Sequence, residues 1–354
     1  MHINKRQKIA VAVMDNLIWI IVAVSLVIFS LLSERFFTVF NFVSILPRVA
    51  ALALLVIGQS FVMLTGNFDL SAESTLGLTA MVGALLVAPA ASGGAGIMMN
   101  PAIAILVMIT IGASIGLFNG LMITKMRMNN LLVTIAMLIL LRGVVLVVSP
   151  GRSVGQLGEV FSWIGSGFLF RIPAEGRVIG VSASLFFVLL MFFIAHVTTR
   201  YTQFGRNLYG IGSSLEAAES SGIKTDRVVI FAYIISGVCA ALAGLIAAGR
   251  ANAVQGSFGS GWIFQVQAAA VVGGISLAGG RGSMIGALGG VLFWGILESG
   301  LSIMQASPYT INIFRGSVLL LALLLDTLKN EYLRNVLLRQ ALMNSKIGIA
   351  DRHF

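Results

Sequence analysis

Long runs without a charged residue constrain this chain more than any other feature. Asp, Glu, Lys and Arg are absent from residues 16–33, 49–68, 74–124, 178–199, 228–249 and 251–280. A helix needs about 20 mostly apolar residues to cross the hydrocarbon core of a bilayer. Only 10% of the 354 residues are charged, whereas soluble domains carry about 25%. The sequence therefore predicts a polytopic membrane protein and excludes a soluble globular one.

The apolar runs predict an all-α bundle of about ten membrane-spanning helices. We place them near residues 15–32, 40–65, 73–91, 100–124, 129–148, 178–198, 228–249, 264–280, 284–305 and 309–325. With a cytoplasmic N-terminus, the even number returns the C-terminus to the cytoplasm. All six lysines then fall on that side, as the positive-inside rule expects: Lys5, Lys8, Lys125, Lys224, Lys329 and Lys346.

Two of the predicted spans are irregular, and the segments outside the spans are short. Pro47 and Arg48 interrupt the second span and glycines loosen the eighth, so either is expected to be broken or re-entrant. The polar stretches 149–177 (outside) and 200–227 (inside) are too short for a catalytic domain. We therefore expect one permease domain over residues 1–328, beginning with an uncleaved first span. The basic and apolar tail 329–354 is expected to form a helix at the cytoplasmic membrane surface.

The sequence contains no recognisable hydrolytic or redox constellation. His2, His196 and His353 have no partners at metal-ligand or triad spacing. Cys239 is the single cysteine and lies inside an apolar run. A Walker A loop ends in Gly-Lys-Ser/Thr, yet none of the six lysines follows a glycine. We expect no bound cofactor or metal, and an ATPase in a partner if ATP drives the protein. The formal charge is +10. The basic residues form no cluster with interleaved aromatics, so nucleic acid is not an expected ligand.

Residues 206–227 contain the most informative soluble pattern. Ser213 and Glu216 have the spacing of a capping box, and Gly222 is placed as a C-terminal stop. The pattern predicts a two-turn cytoplasmic helix. So short a helix is marginal alone in water, so it is expected to dock on something. The residues by themselves leave open whether it docks on a partner or on its own bundle.

The same stretch resembles the cytoplasmic coupling loop of a known transporter family. The order Glu216-Ala217-Ala218, Ser221, then Gly222-Ile223, preceded by residues 202–206, is similar to that of ABC-importer permeases of the ribose, galactose, xylose and arabinose type. The resemblance extends in order from about residue 40 to 326. It includes residues 69–71, 75–78, 116–120, 268–274 and 276–283.

This resemblance implies the partners and the mode of action. Two permease subunits would form the pore in a bacterial inner membrane, as a homodimer or a heterodimer. Two ATPase modules holding ATP and Mg²⁺ would dock on the coupling helices, and an external binding protein would deliver the sugar. The chain itself would be a conduit and not an enzyme. The implied coupling residues are Ser213, Glu216, Ala217, Ala218, Glu219 and Gly222.

The sequence also departs from the family pattern, which leaves the substrate open. Glu73 adds a carboxylate four residues after Asp69, where helical spacing would put both on one face. Asn129-Asn130 replaces an expected Pro-Pro or Gly-Pro. Polar groups at membrane depth usually face a cavity or a partner, so Arg142 and Arg315 also rank as pathway candidates. The principal pathway candidates are Asn67, Asp69, Ser71, Glu73, Asn119, Gln265, Gln267 and Glu298.

Each of these residues also has a structural interpretation, and three rival functions remain. Asp69 with its serines suits a helix cap as well as substrate contact. Asn119 lies beside a stripe of glycines in the 100–124 span, which favours close helix packing and an interhelical hydrogen bond. An ion-coupled carrier would use Asp69, Glu73 and Glu298 for coupling, but it leaves the Glu-Ala-Ala loop unexplained. An intramembrane enzyme would have only the Asp69 and Glu73 pair. A permease for branched-chain amino acids differs in substrate alone.

Overall fold

Helices make up most of the fold. The computed structural model describes residues 17–149, 151–174, 177–324 and 327, so the predicted tail helix at 329–354 and the N-terminal basic residues lie outside the described residues. The helices are α1 (Leu17–Leu32), α2 (Val39–Arg48), α3 (Ala50–Leu64), α4 (Ala72–Val87), α5 (Pro101–Thr124), α6 (Asn130–Val148), α7 (Gly158–Ser166), α8 (Ala183–Tyr201), α9 (Gln203–Ser213), α10 (Leu215–Ser220), α11 (Thr225–Ala251), α12 (Trp262–Val272), α13 (Met284–Ile303) and α14 (Pro308–Leu324).

The apolar helices follow the predicted spans in order. Five of them, α5, α6, α8, α11 and α13, are long and apolar enough to cross a membrane. Helices α2 and α3 meet at an angle of 48° and together would make a sixth span. This confirms the predicted break beside Pro47 and Arg48, which are the last two residues of α2. Helices α1, α4, α12 and α14 are shorter apolar helices. These helices belong to a helical, multi-pass membrane protein, and the count of ten crossings stays a prediction.

Helix α11 lies at the centre of the bundle and packs against α3, α4, α5 and α7. Its approach to α5 is close because glycines face each other or backbone. A Cβ placed on Gly237 would collide with the carbonyl oxygen of Gly112, and one on Gly116 would collide with that of Tyr233. Small residues allow this proximity in membrane bundles, as the glycine stripe on α5 predicts. The α5–α11 interface therefore fixes the centre of the fold.

Substituting Gly237 with leucine should destabilise the protein by forcing α5 and α11 apart. Overpacking a well-packed interior typically costs about 1–3 kcal/mol, and here the obstacle is backbone. We expect a lower midpoint of thermal unfolding in detergent and less folded protein. Gly143→Leu on α6 is the matched control, because no described atom outside its own stretch of helix lies within 4 Å of a Cβ at Gly143. Equal stability of the two variants would contradict the assigned packing.

The helical prediction is confirmed, and the described residues add four short strands in the connections between helices. Strands β1 (Val154–Gly155) and β4 (Ala253–Val254) pair antiparallel, as do β2 (Phe168–Ala174) and β3 (Arg177–Ser182). The sixth predicted span therefore begins at Ala183 and not at 178. Residues 178–182 read Val-Ile-Gly-Val-Ser, and β-branched residues favour strands. The Ser182 hydroxyl then accepts a hydrogen bond from the Leu185 backbone N–H at 3.1 Å, which caps α8.

The connections between helices contact one another in two groups, one at each end of the bundle. At one end, Ser92 donates to Gln156 Oε1 at 2.7 Å, and β1 pairs with β4. At the other, the Gly280 N–H donates to the Leu64 carbonyl at 3.0 Å, and Lys125 pairs with Asp226 at 2.8 Å. The apolar segments from α3 to α13 that these connections join thus run in alternating directions through the bundle.

Candidate functional site

A buried polar network occupies the loop between α3 and α4. Asp69 is only 2% exposed. Its Oδ1 accepts hydrogen bonds from the Ser71 backbone N–H at 3.0 Å and the Ser71 hydroxyl at 2.6 Å, and its Oδ2 accepts from the Ser236 hydroxyl at 2.7 Å. Asn119 donates to Ser71 Oγ at 2.9 Å, which is the interhelical bond its position predicts. The network ties the loop to α5 and α11.

The predicted shared face of Asp69 and Glu73 is wrong, because α4 begins at Ala72 and leaves Asp69 in the loop. The Asx-type bonds of Asp69 to Ser71 hold the chain in a turn before the helix starts. Asn67 also belongs to this loop. It donates to Thr65 Oγ1 at 2.9 Å and accepts from Asn130 Nδ2 at 2.8 Å. Asn130, which departs from the family pattern, therefore has a hydrogen-bond partner in this loop.

Glu73 and Arg142 form a second polar group, which binds the stretch of chain that leads into α12. Glu73 is 5% exposed, lies 3.5 Å from Arg142 Nη2 through Oε1, and accepts the Ile263 backbone N–H through Oε2 at 3.1 Å. Arg142 Nη1 donates to the carbonyl oxygens of Gly256 at 3.2 Å and Phe258 at 2.9 Å. The ion pair thus fixes residues 255–261, which we name the 255–261 segment, and the first turn of α12.

The remaining pathway candidates lie on α12 and α13. Gln265 is half-buried. Gln267 is 9% exposed, and its amide has no hydrogen-bond partner among the described residues. Glu298 pairs with Arg315 of α14, with 29% and 31% of the two side chains exposed. The hydrogen bonds and ion pairs of Asp69, Glu73 and Glu298 thus go to three different sets of partners.

Sequence reasoning missed three participants in these groups. Tyr233 is fully buried and donates to the Phe68 carbonyl at 2.8 Å, and Ser236 binds Asp69. Both are polar residues inside the charge-free run 228–249. A polar residue in such a run is the sequence signal that could have identified them. The third is the 255–261 segment, whose glycine and serine content stands out between two apolar runs.

Residues 206–227, where the sequence predicted one short helix, contain the end of one helix and the whole of a second. Helix α9 begins after Thr202, whose hydroxyl accepts the Gly205 N–H at 3.2 Å, and continues to Ser213. Helix α10 then starts after Ser214, whose hydroxyl accepts the Ala217 N–H at 3.2 Å. The predicted Ser213–Glu216 capping box is therefore wrong by one residue. Ser213 ends α9, and its hydroxyl donates to the Tyr209 carbonyl at 2.8 Å.

The stop predicted at Gly222 is confirmed by its backbone. Its φ is +80°, in the region that favours glycine. The N–H of Gly222 donates to Glu219, and that of Ile223 donates to Ala218. This pair of bonds is the Schellman arrangement that closes a helix C-terminus.

Helix α10 has one buried residue and an otherwise exposed surface. Ala218 is 4% exposed and packs on the bundle, whereas Glu216, Ala217 and Glu219 are exposed. The two alanines therefore face different ways, and of the two only Ala217 is accessible to a partner.

Tyr209 of α9 donates to the Gly282 carbonyl at 2.9 Å. Burial raises the pKa of its hydroxyl, which keeps the donor protonated. The α9–α10 unit is thus joined to the turn before α13.

Comparison with known proteins gives one family over most of the chain. Residues 41–323 match the family described as branched-chain amino acid transport system / permease component. The chain is 34% identical over 318 residues to the ribose import permease protein of Escherichia coli strain K12, which covers 89% of this chain and 93% of the relative.

Two further relatives match over similar lengths. The ribose import permease protein of Bacillus subtilis is 35% identical over 86% of this chain and 90% of its own. The autoinducer 2 import system permease protein of Yersinia enterocolitica is 34% identical over 85% of this chain and 80% of its own. No solved structure matches the chain.

Proposed function

The chain belongs to the branched-chain amino acid transport system / permease component family, and we propose that it is the membrane subunit through which an ATP-driven importer takes up a monosaccharide or a related polyol. The observation that carries this proposal is the near full-length match to permeases named for ribose and autoinducer 2 import. These relatives disfavour a branched-chain amino acid as the cargo, despite the family's name. The chain acts as a transport subunit and not as an enzyme.

The proposed topology has ten crossings in a bacterial inner membrane, with both termini in the cytoplasm. Ten apolar segments support it, if α2 and α3 count as one bent span, and those from α3 to α13 run in alternating directions. The end of the bundle that carries Lys125, Arg127 and Lys224 would be cytoplasmic by the positive-inside rule. Residues 1–328 would form the single permease domain and residues 329–354 a tail on the cytoplasmic leaflet.

The exposed side of α10 is the proposed docking site for the ATPase. A short helix seated in a cleft of the ATPase transmits closure of that module as rigid-body movement. The hydrogen bond from Tyr209 to Gly282 supports a route from α9 to α13. Glu216, Ala217 and Glu219 would contact the ATPase, while Ser213, Ala218 and Gly222 hold the helix in place. ATP and Mg²⁺ would bind in the partner, and this chain would bind no cofactor.

The other proposed partners are a second permease subunit and an external sugar-binding protein. The second subunit would complete the pore, and the binding protein would dock at the end of the bundle that carries α7 and strands β2 and β3. Asp69, Ser71, Asn119 and Asn67 would position the helices around the pathway. Because the Asp69 carboxylate already accepts three hydrogen bonds within the chain, a role as the coupling group of an ion-driven carrier is disfavoured.

Purification of the tagged permease from its native membrane in mild detergent tests the proposal. We expect an ATPase with a Walker A motif to be recovered with it. Vesicles containing both proteins and the binding protein should take up ribose when ATP is supplied. An untagged strain controls for nonspecific recovery. A permease recovered alone that moves solute with an ion gradient and without ATP would overturn the ABC importer assignment.

A further inference from the structure

The 255–261 segment is an irregular stretch of chain between β4 and α12. It reads Gln-Gly-Ser-Phe-Gly-Ser-Gly and folds as consecutive turns. The Phe258 N–H donates to the Gln255 carbonyl at 2.9 Å, and the Ser260 N–H donates to the Ser257 carbonyl at 3.0 Å. Gly259 and Gly261 have φ values of +76° and +79°, which other residues rarely adopt. The sequence is thus suited to a fixed, non-helical path.

Contacts with α6 and α4 show how far this segment lies below the end of the bundle, measured along the helix axes. Arg142, which binds the Gly256 and Phe258 carbonyls, lies about 9 Å below the end of α6 at Val148, from the rise of an α-helix. The Phe258 carbonyl also touches α4 at Gly77, about 15 Å below the end of that helix at Val87. Both distances are measured from the end of the bundle that carries β1 and β4.

The packing of α12 on α13 gives the same depth independently. These helices run antiparallel, with Gly273 against Gly286 and Ala269 against Gly290. The same register places Trp262 level with Leu297, about 9 Å below the end of α13 at Ile303. Three helices therefore agree that the segment and the start of α12 lie at membrane depth.

The polar side chains of the segment are nevertheless exposed on the surface of the single chain. Gln255, Ser257 and Ser260 are all exposed. Non-helical backbone at membrane depth is tolerated only where it is buried in protein or lines a water-filled cavity. Lipid contact is therefore excluded for this surface.

We propose that the 255–261 segment and the exposed start of α12 form a wall of the sugar pathway. The inference rests on the proposed import function and deepens it by assigning the surface that the sugar passes. Ser257, Ser260 and Gln255 supply uncharged donors and acceptors, which suit the hydroxyl groups of a sugar. Phe264 of α12 is 61% exposed and gives an apolar surface for a sugar ring. The Glu73–Arg142 pair holds this wall in place from behind.

Thiol labelling in membranes tests the assignment, because the chain has one cysteine and it is buried. In a Cys239→Ala background we would introduce Ser257→Cys or Ser260→Cys, express the full transporter and apply a charged methanethiosulfonate reagent. The control is Leu140→Cys. That side chain is 56% exposed, lies within one helical turn of Arg142 in depth, and points to the opposite side of α6. Thiolates react only where water reaches them, so both serine positions should be labelled at least about tenfold faster than the control.

Ribose should slow labelling at both serine positions, and the attached reagent should stop uptake. The inference is overturned if the two serine positions react no faster than Leu140→Cys. It is also overturned if they stay unreactive and instead form disulfide cross-links between two permease subunits. Recovery of the ATPase is measured on the same membranes. If the ATPase is recovered and only the labelling fails, this inference falls alone; loss of the ATPase from the native complex counts against the importer proposal.

Discussion

Replacing Arg142 with alanine is expected to abolish transport and to reduce the amount of folded protein. Glu73 would keep its buried carboxylate without a cationic partner, and breaking a buried ion pair costs about 3–5 kcal/mol. The 255–261 segment would also lose both hydrogen bonds from the guanidinium. The measurements are ATP-driven uptake, with ribose as the test sugar, and the amount of monodisperse permease after size-exclusion chromatography in detergent.

A double variant separates the charge from the positioning role. In Glu73→Gln/Arg142→Met no charge is left buried, so the folded amount should recover towards the unmodified level. Uptake should stay low, because the Gly256 and Phe258 carbonyls remain without their donor. Lys125→Ala is the control for loss of an ion pair in general. Its side chain is 60% exposed, and such surface pairs contribute about 0–1 kcal/mol. Normal uptake by Arg142→Ala would contradict the role given to the pair.

The sequence predicted the parts of the fold that depend on local composition. Charge-free runs marked the apolar helices, Pro47 marked the break between α2 and α3, and Gly222 marked the end of α10. The glycines of α5 marked the face that approaches α11. In each case the residue type determines the conformation of its own stretch of backbone, or how closely its own helix face can be approached.

Other features depend on contacts between distant residues and could not be predicted in this way. Glu73 was noted as an extra carboxylate, but its partners Arg142 and Ile263 come from α6 and α12. Nothing in residues 69–73 indicates either partner. Ser236 and Tyr233 likewise gain their roles only because α11 lies against the loop that holds Asp69.

The shift of the helix cap from Ser213 to Ser214 shows how neighbouring elements decide a local ambiguity. Both serines precede Glu216 and both suit an N-cap. The longer helix α9 extends through Ser213, so the extended residue with φ −163° falls on Ser214. The hairpin of β2 and β3 was missed for a related reason. Its β-branched residues continue an apolar run that reads equally well as the start of a membrane span.

Replacing Ala217 with arginine is expected to remove the ATPase from the permease while leaving the permease folded. Ala217 lies on the exposed surface of α10, and a small side chain there permits close seating in a partner cleft. Arginine adds both volume and a charge that docking would desolvate. We expect recovery of the ATPase on the tagged permease, and ATP-driven uptake, to fall by about tenfold or more, which corresponds to at least about 1.4 kcal/mol of binding free energy.

Met126→Arg provides the matched control for this substitution. Met126 is 63% exposed and lies in the turn between α5 and α6, at the same end of the bundle as α10. The Met126→Arg variant should retain both binding of the ATPase and ATP-driven uptake, because the added arginine lies outside α10. Since arginine is a good helix former, Ala217→Arg should preserve α10 itself, and the two variants should yield similar amounts of permease. Equal recovery of the ATPase with both would mean that α10 docks only on its own bundle, through Ala218, which is the alternative that the residues alone left open.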